Sequence, residues 1–284
     1  MVANILKAVF SSSNPPDPLA PDAILPPGDA PQMFAQRPPR PPPDPPWSIW
    51  DVVRIALVAL LAILLFSYVA LEVAHAISGK ALNADEVARD PRIIVPAQGA
   101  AYLAVVLFMY LLVTRGYDRP FLRGVHWRFP ARTWPAFAAG GAVLAVAVQL
   151  ASSLLPVPKQ LPIDDYFRNP SGAWMMAVFG TLVAPTVEEL FFRGFLYPVA
   201  RRAGLIFGLV STALLFALIH EAQLAHAWAP LLMLFVVGLA LTITRERTDS
   251  VASGVLVHMG YNGALFVFVW VASDHFRHLE RLSQ

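Results

Sequence analysis

The sequence contains no cysteine and few charged residues. Of its 284 residues, none is Cys and only 14% are Asp, Glu, Lys or Arg. The absence of cysteine excludes disulfides, zinc–thiolate sites and a thiol nucleophile. Soluble domains usually carry about 25% charged residues. The low charge content, together with 57% hydrophobic residues, therefore indicates a membrane protein.

Lysine is also scarce, and the sequence has no run of basic residues. The net charge is +2, from 21 Lys and Arg against 19 Asp and Glu. Nucleic-acid-binding domains concentrate Lys and Arg in a patch or stripe, so we predict no nucleic-acid partner. Most arginines instead fall in the breaks between apolar stretches.

The N-terminal segment has its own composition. Residues 1–48 contain 14 of the 26 prolines. Because proline lacks a backbone N–H and such a segment has little apolar surface to bury, it favours neither helix nor sheet. The sequence predicts a disordered proline-rich tail over residues 1–48.

Apolar runs recur from there to the C-terminal end. Such runs predict membrane-spanning helices, since a hydrocarbon core of about 30 Å needs about 20 apolar residues in a helix. We predict an all-α polytopic membrane bundle of about seven transmembrane helices. They divide into N-terminal helices at 49–171 and a later core at 172–272, followed by a C-terminal tail at 273–284. The runs are Ile55–Ile77, Val95–Val113, Trp134–Leu155, Ala173–Ala200, Leu205–His220, Ala227–Ile243 and Val251–Ala272.

The loop charges predict an orientation. If the helices alternate in direction, twelve Lys and Arg residues lie on the side of the N-terminus and seven on the opposite side. Cytoplasmic loops carry the excess of Lys and Arg, so we expect a cytoplasmic N-terminus. The expected location is a bacterial inner (plasma) membrane. The sequence does not predict an oligomeric state.

Ionisable residues within the apolar runs carry the functional information, because an ionised group at bilayer depth costs on the order of 3 kcal/mol. Glu189 and Arg193 are four residues apart on one helical face and can pair. Glu188, rotated by about 100° from Glu189, has no cation nearby in the sequence. His220 ends the fifth run, and His258 and Asn262 share a face of the seventh.

These groups suit hydrolysis by an activated water. Glu188 is the candidate general base, and His220 would help to hold the water. His258 and Asn262 would stabilise the oxyanion. Pro185, three residues before Glu188, is expected to bend or open the helix and admit water.

Three motifs on successive late helices resemble a known family. EExxxR (Glu188, Glu189, Arg193), FxxxH (Phe216, His220) and HxxxN (His258, Asn262) are similar to those of the CAAX prenyl endopeptidase and bacteriocin-processing (CPBP, or Abi) intramembrane proteases. The resemblance covers residues 172–272. It implies an all-helical fold and an endopeptidase in which the first glutamate is the base. It also implies that the second glutamate pairs with the arginine, while the histidines and the asparagine assist.

The resemblance leaves the metal and the substrate open. Glu188, His220 and His258 would be the ligands of a zinc ion with an open position for water, but we favour no required cofactor. The implied partner, besides the bilayer, is a membrane-associated protein or peptide, with prenylated CaaX sequences as one class. Two alternatives remain. One is a non-proteolytic scaffold that keeps the polar cluster for assembly. The other, less favoured because no internal repeat is evident, is a transporter.

Overall fold

A computed structural model describes residues 44–79, 83–156, 158, 161–167 and 169–277, and within them no strand occurs. Short π-helical and 3₁₀ turns extend or join several of the helices. The helices are α1 Ile49–Ser78, α2 Ala84–Ala88, α3 Pro91–Leu111, α4 Phe121–Gly124, α5 Trp134–Ser152, α6 Pro170–Val178, α7 Ala184–Glu189, α8 Tyr197–Ala200, α9 Leu205–Leu218, α10 Trp228–Thr248 and α11 Val251–Ala272.

The predicted membrane bundle is confirmed. Six helical segments of the described chain are long and apolar enough to cross a membrane: Ile49–Ser78, Pro91–Gly116, Trp134–Ser152, Pro170–Arg201, Trp228–Thr248 and Val251–Ala272. The remaining predicted run, Leu205–His220, contains the shorter helix α9. It ends two residues before His220, which lies in the turn that follows. The chain is an integral membrane protein.

One end of the bundle, here called the N-terminal face, gathers segments that are distant in sequence. It holds residues 44–48, the 117–133 connection, and the turns at 201–204 and 249–250. Tyr117 donates a hydrogen bond to Asp51 at 2.7 Å, and the Asp249 carboxylate accepts one from Arg245 at 2.7 Å. Burial would raise the pKa of Asp249, but the hydrogen bonds and charges of Arg245 and His126 outweigh it and lower that pKa.

The described residues begin within the segment predicted as the tail. Trp47, which the composition assigned to the tail, is fully buried and stacks on Phe195 with ring centroids 4.6 Å apart. Its indole N–H donates to the Phe195 carbonyl at 3.3 Å. Burial of a large aromatic ring whose N–H has a partner is favourable and fixes this part of the chain on the bundle. The rest of the predicted tail, residues 1–43, lies outside the described residues.

The opposite end of the bundle is called the far face. It comprises the described parts of the connections at 79–90, 153–169 and 219–227, and residues 273–277. Arg89 pairs with Asp165 across this face at 3.5 Å. Phe276, from the predicted C-terminal tail, is buried against Trp174 with ring centroids 5.2 Å apart. Residues 278–284 lie outside the described part.

The earlier and later helices pack as one body. Helix α5 crosses α11 so closely that a Cβ at Gly141 would lie 2.0 Å from the Val257 carbonyl oxygen. A Cβ at Gly260 would lie equally close to the Ala138 carbonyl oxygen. Small residues allow this approach between helices in a membrane. The later helices that carry the motifs are therefore held by the earlier ones.

Candidate active site

The helical segment 170–201 carries the first motif and contains two π-helical turns, Phe179–Val183 and Leu190–Leu196. In a π-helix each carbonyl accepts from the N–H five residues later. The carbonyls of Gly180 and Arg193 would thus accept from positions 185 and 198, and both positions are proline. Since proline has no N–H, each turn leaves one carbonyl free.

Side chains of other helices supply the missing donors. Asn262 of α11 donates from its amide nitrogen to the Gly180 carbonyl at 2.7 Å. Arg245 of α10 donates to the Arg193 carbonyl at 3.2 Å. The wide turn before Glu188 and the one after it are thus each tied to a neighbouring helix. This fixes the short helix α7, which ends in Glu188 and Glu189.

Glu189 is the centre of a buried charge network. Both Glu189 and Arg193 are fully buried. Arg193 donates to the Glu189 carboxylate at 2.7 Å and to the Gly238 carbonyl at 2.9 Å. The structure places these two side chains in an ion pair, and a third group joins it, since His258 Nδ1 lies 3.1 Å from the same Glu189 oxygen. A carboxylate only accepts, so this contact assigns the proton of the neutral imidazole to Nδ1.

The second Glu189 oxygen packs against the backbone of α11. It has no hydrogen-bond partner among the described residues. A Cβ at Gly254 would lie 2.7 Å from it. Glycine at this position therefore leaves room for the carboxylate that orients His258.

The second ring nitrogen of His258 is directed toward Glu188. Its Nε2 lies 3.9 Å from a Glu188 carboxylate oxygen. That separation is too long for a direct hydrogen bond. Tyr102 of α3 lies on the other side of the carboxylate, with its hydroxyl 3.4 Å from the second Glu188 oxygen. Glu188 is therefore flanked by an imidazole from a late helix and a phenol from an early one.

His220 approaches from the turn after α9. Its Nδ1 lies 2.8 Å from the Phe216 carbonyl oxygen. Because a carbonyl accepts, the Nδ1 carries the proton and Nε2 is left as an acceptor. The buried Phe216 ring lies between the two imidazoles, with centroids 5.1 Å from His220 and 5.6 Å from His258. Phe216 separates the two histidines and shapes the site by packing.

A cavity of about 1120 Å³ contains these groups. Glu188, His220, His258 and Asn262 all line it, so the structure brings the four predicted catalytic residues to one space. Tyr102 lines it as well. Most of the remaining wall is apolar, with residues such as Met176, Phe179, Met233 and Leu265. The arrangement places the Glu188 carboxylate and two acceptor imidazole nitrogens in a chamber whose wall is mostly apolar, with further polar side chains such as Asp164 and Gln223 in the lining.

The predicted zinc alternative requires three ligands around one point. Among the described residues, no group of three or more His, Asp or Glu side chains is placed to hold a metal ion. The Nδ1 contacts leave the Nε2 atoms of His220 and His258 as the ring nitrogens that could ligate a metal. The side chains as placed do not form a zinc site, and no step below uses one.

Tyr102 is the site residue that sequence reasoning missed. It lies 86 residues before Glu188, within a run that reads only as a membrane span. Its ring stacks on Phe179 of the wide turn, with centroids 5.6 Å apart. One feature of the sequence could have indicated Tyr102. The polar residue Gln98 lies one helical turn before it in an otherwise apolar run.

Comparison with known families gives one match. Residues 170–264 match the family model described as type II CAAX prenyl endopeptidase, Rce1-like. This confirms the family resemblance predicted from the motifs, and the matched segment includes all of their residues. The comparisons with curated proteins and with solved structures gave no match.

Proposed function

We propose that the chain is an intramembrane endopeptidase, because residues 170–264 match the family model described as type II CAAX prenyl endopeptidase, Rce1-like. It hydrolyses a peptide bond with a water that Glu188 activates. The observation that supports this most is the pairing of the Glu188 carboxylate with His258 Nε2, 3.9 Å apart, in a cavity of peptide-accommodating size.

The separation of these two groups fits a shared water. A water about 2.8 Å from each acceptor would lie beside the line that joins them and donate one hydrogen to each. Glu188 takes the proton as the lone pair of the water attacks the carbonyl carbon. It then returns this proton to the leaving amine as the C–N bond breaks.

The hydrogen bonds favour a different division of roles from the one predicted. Neutral His258 has only an acceptor to offer, because its Nδ1–H is directed at Glu189. His258 can therefore accept a hydrogen bond from the attacking water but cannot donate one to the oxyanion. Two donors that line the cavity are the Tyr102 hydroxyl, 3.4 Å from Glu188, and the second amide hydrogen of Asn262. We assign oxyanion stabilisation to these, with His220 Nε2 as a further acceptor for water.

The test is cleavage by the purified full-length protein. Wild type and Glu188→Gln are incubated with a peptide library that contains farnesylated and unmodified members, and products are identified by mass spectrometry. General-base catalysis contributes about 10²- to 10⁴-fold, so we expect cleavage by the variant to fall by at least about 100-fold. The neutral isostere keeps the shape of the side chain but cannot take up the proton of the water.

Glu72→Gln is the matched control. Glu72 also lies within a membrane span, but it is exposed and outside the cavity lining, so full activity is expected. Equal cleavage by wild type and Glu188→Gln would contradict the proposal. Chelators added in the same plate test the metal. We propose that none is required, so activity should persist.

A further inference from the structure

The cavity extends from Glu188 and His258 to the far face of the bundle. Three helices line it with the part nearer the far face: α3 through Ile94 to Tyr102, α5 through Val148 to Ser152, and α10 through Pro230 to Val237. Glu188 and His258 form the inner end of the lining, and α11 continues it to Ala272 at the far face. The far-face connections complete the lining with residues such as Leu161 and Gln223. No residue of the N-terminal face defined above is among the lining residues. The cavity thus opens toward the far face.

The basic residues are concentrated at the other end. Of the described Lys and Arg residues, one, Arg193, is buried at the site, and three belong to the far face. Those three are Arg89, Arg92 and Arg277. Ten belong to the N-terminal face or to the helix ends that reach it: Arg54, Arg115, Arg119, Arg123, Arg128, Arg132, Arg201, Arg202, Arg245 and Arg247.

This asymmetry does not depend on residues outside the described part. Lys80, Lys159, Arg168 and Arg281 follow the first span and are not described. Counting all four at the far face still leaves that face with seven basic residues against ten. The excess of Lys and Arg marks the cytoplasmic side, so the N-terminal face is cytoplasmic.

Putting these two observations together, we infer that the active-site cavity opens on the extracytoplasmic side of the membrane. The substrate is then a peptide segment that reaches the bilayer from that side. It presents apolar side chains to the cavity wall. The statement about the substrate rests on the proposed function. The direction in which the cavity opens is inferred from the lining residues and the distribution of charges alone. A lipidated tail confined to the cytoplasmic leaflet would not reach Glu188 by this route.

The absence of cysteine makes a direct test simple, because one introduced thiol is the only thiol. The full chain is expressed in a bacterial host with single substitutions, and intact cells are treated with a membrane-impermeant maleimide. Ser152→Cys and Gln223→Cys place the thiol in the cavity lining near the far face. Thr133→Cys places it on the exposed start of α5, at the N-terminal face. Thr212→Cys, at a fully buried position, is the unlabelled control.

We expect the two cavity positions to be labelled in intact cells, at least about tenfold above Thr212→Cys. Thr133→Cys should be labelled only after permeabilisation. The reverse pattern overturns the inference, and so does labelling of the cavity positions no greater than that of Thr212→Cys. A C-terminal fusion gives a second reading, since α11 ends at the far face: alkaline phosphatase should be active there and green fluorescent protein dark.

Neither measurement requires cleavage. The same labelling pattern is expected in the Glu188→Gln background. Failure of the peptidase proposal would appear in the cleavage assay with this labelling pattern intact. Failure of the orientation would appear as inverted labelling, whatever the cleavage assay shows.

Discussion

At the scale of single residues, the chemistry of the site depends on which hydrogen bond each side-chain nitrogen and oxygen makes. Glu189 accepts from Arg193 and His258 on one oxygen, and this leaves the Nε2 of His258 for the space beside Glu188. The spacing of the first motif predicts the pair of Glu189 with Arg193. It does not predict that the same oxygen also holds the histidine of the third motif, since that contact spans 69 residues.

Tyr102 supplies the residue-scale prediction. Tyr102→Phe removes the hydroxyl near Glu188 and keeps the ring that stacks on Phe179. A hydrogen bond contributes about 0.5–1.5 kcal/mol net. We therefore expect kcat to fall roughly 3- to 10-fold with KM nearly unchanged.

Tyr110→Phe is the control for this substitution, because Tyr110 lies on the same helix but is 47% exposed and outside the cavity lining. Steady-state kinetics on the best library peptide separates kcat from KM. A rise in KM alone would mean that Tyr102 binds substrate and does not position the base or the oxyanion.

At the scale of elements, the wide turns of segment 170–201 follow one rule. Each has a proline five residues after a carbonyl, and each freed carbonyl receives a side-chain donor from a later helix. Local sequence supplies the first half of this rule, since proline cannot donate. The second half depends on which helices pack side by side. The motif asparagine Asn262 thus has a structural task in addition to the proposed chemical one.

A double-mutant cycle tests this rule at the first turn. Asn262→Ala leaves the Gly180 carbonyl without its side-chain donor, at a cost of about 1–3 kcal/mol for a buried group. Pro185→Ala provides a backbone N–H for the same carbonyl. The cost of Asn262→Ala should therefore be smaller by about 1 kcal/mol in the Pro185→Ala background.

Unfolding in mixed detergent micelles gives the four free energies of this cycle. Pro96→Ala, at a proline inside α3, is the comparison and should combine with Asn262→Ala additively. Additive behaviour of Pro185→Ala as well would show that the Gly180 carbonyl does not couple the two residues.

At the scale of the whole molecule, the sequence predicts most of the architecture. Long apolar runs predict the spans because every backbone group in lipid must bond within its own helix. The motif residues predict which later helices meet. What the sequence does not predict is contributed by packing between distant segments: the burial of Trp47, the approach of Tyr102 to Glu188, and the end of α9 before His220.

The length of α9 has a consequence for the surrounding lipid. Fourteen residues span about 21 Å, against a hydrocarbon thickness of about 30 Å. Ile206, Phe207 and Leu214 keep its outer surface apolar and exposed. Such hydrophobic mismatch is relieved by local thinning of the bilayer. The lipid headgroups and their water then lie closer to the bilayer centre beside His220. A peptide that enters the site leaves the aqueous phase at this point.

Catalysis should accordingly depend on acyl-chain length. In proteoliposomes of short-chain phosphatidylcholine the thinning costs little, whereas longer chains penalise it by fractions of a kcal/mol per Å. We expect turnover to decrease several-fold from 14- to 22-carbon chains at constant fluidity, with equal reconstitution checked by the amount of folded protein. Turnover independent of chain length would contradict this. A decrease with chain length would mean that the short helix α9 makes the surrounding lipid a component of the enzyme.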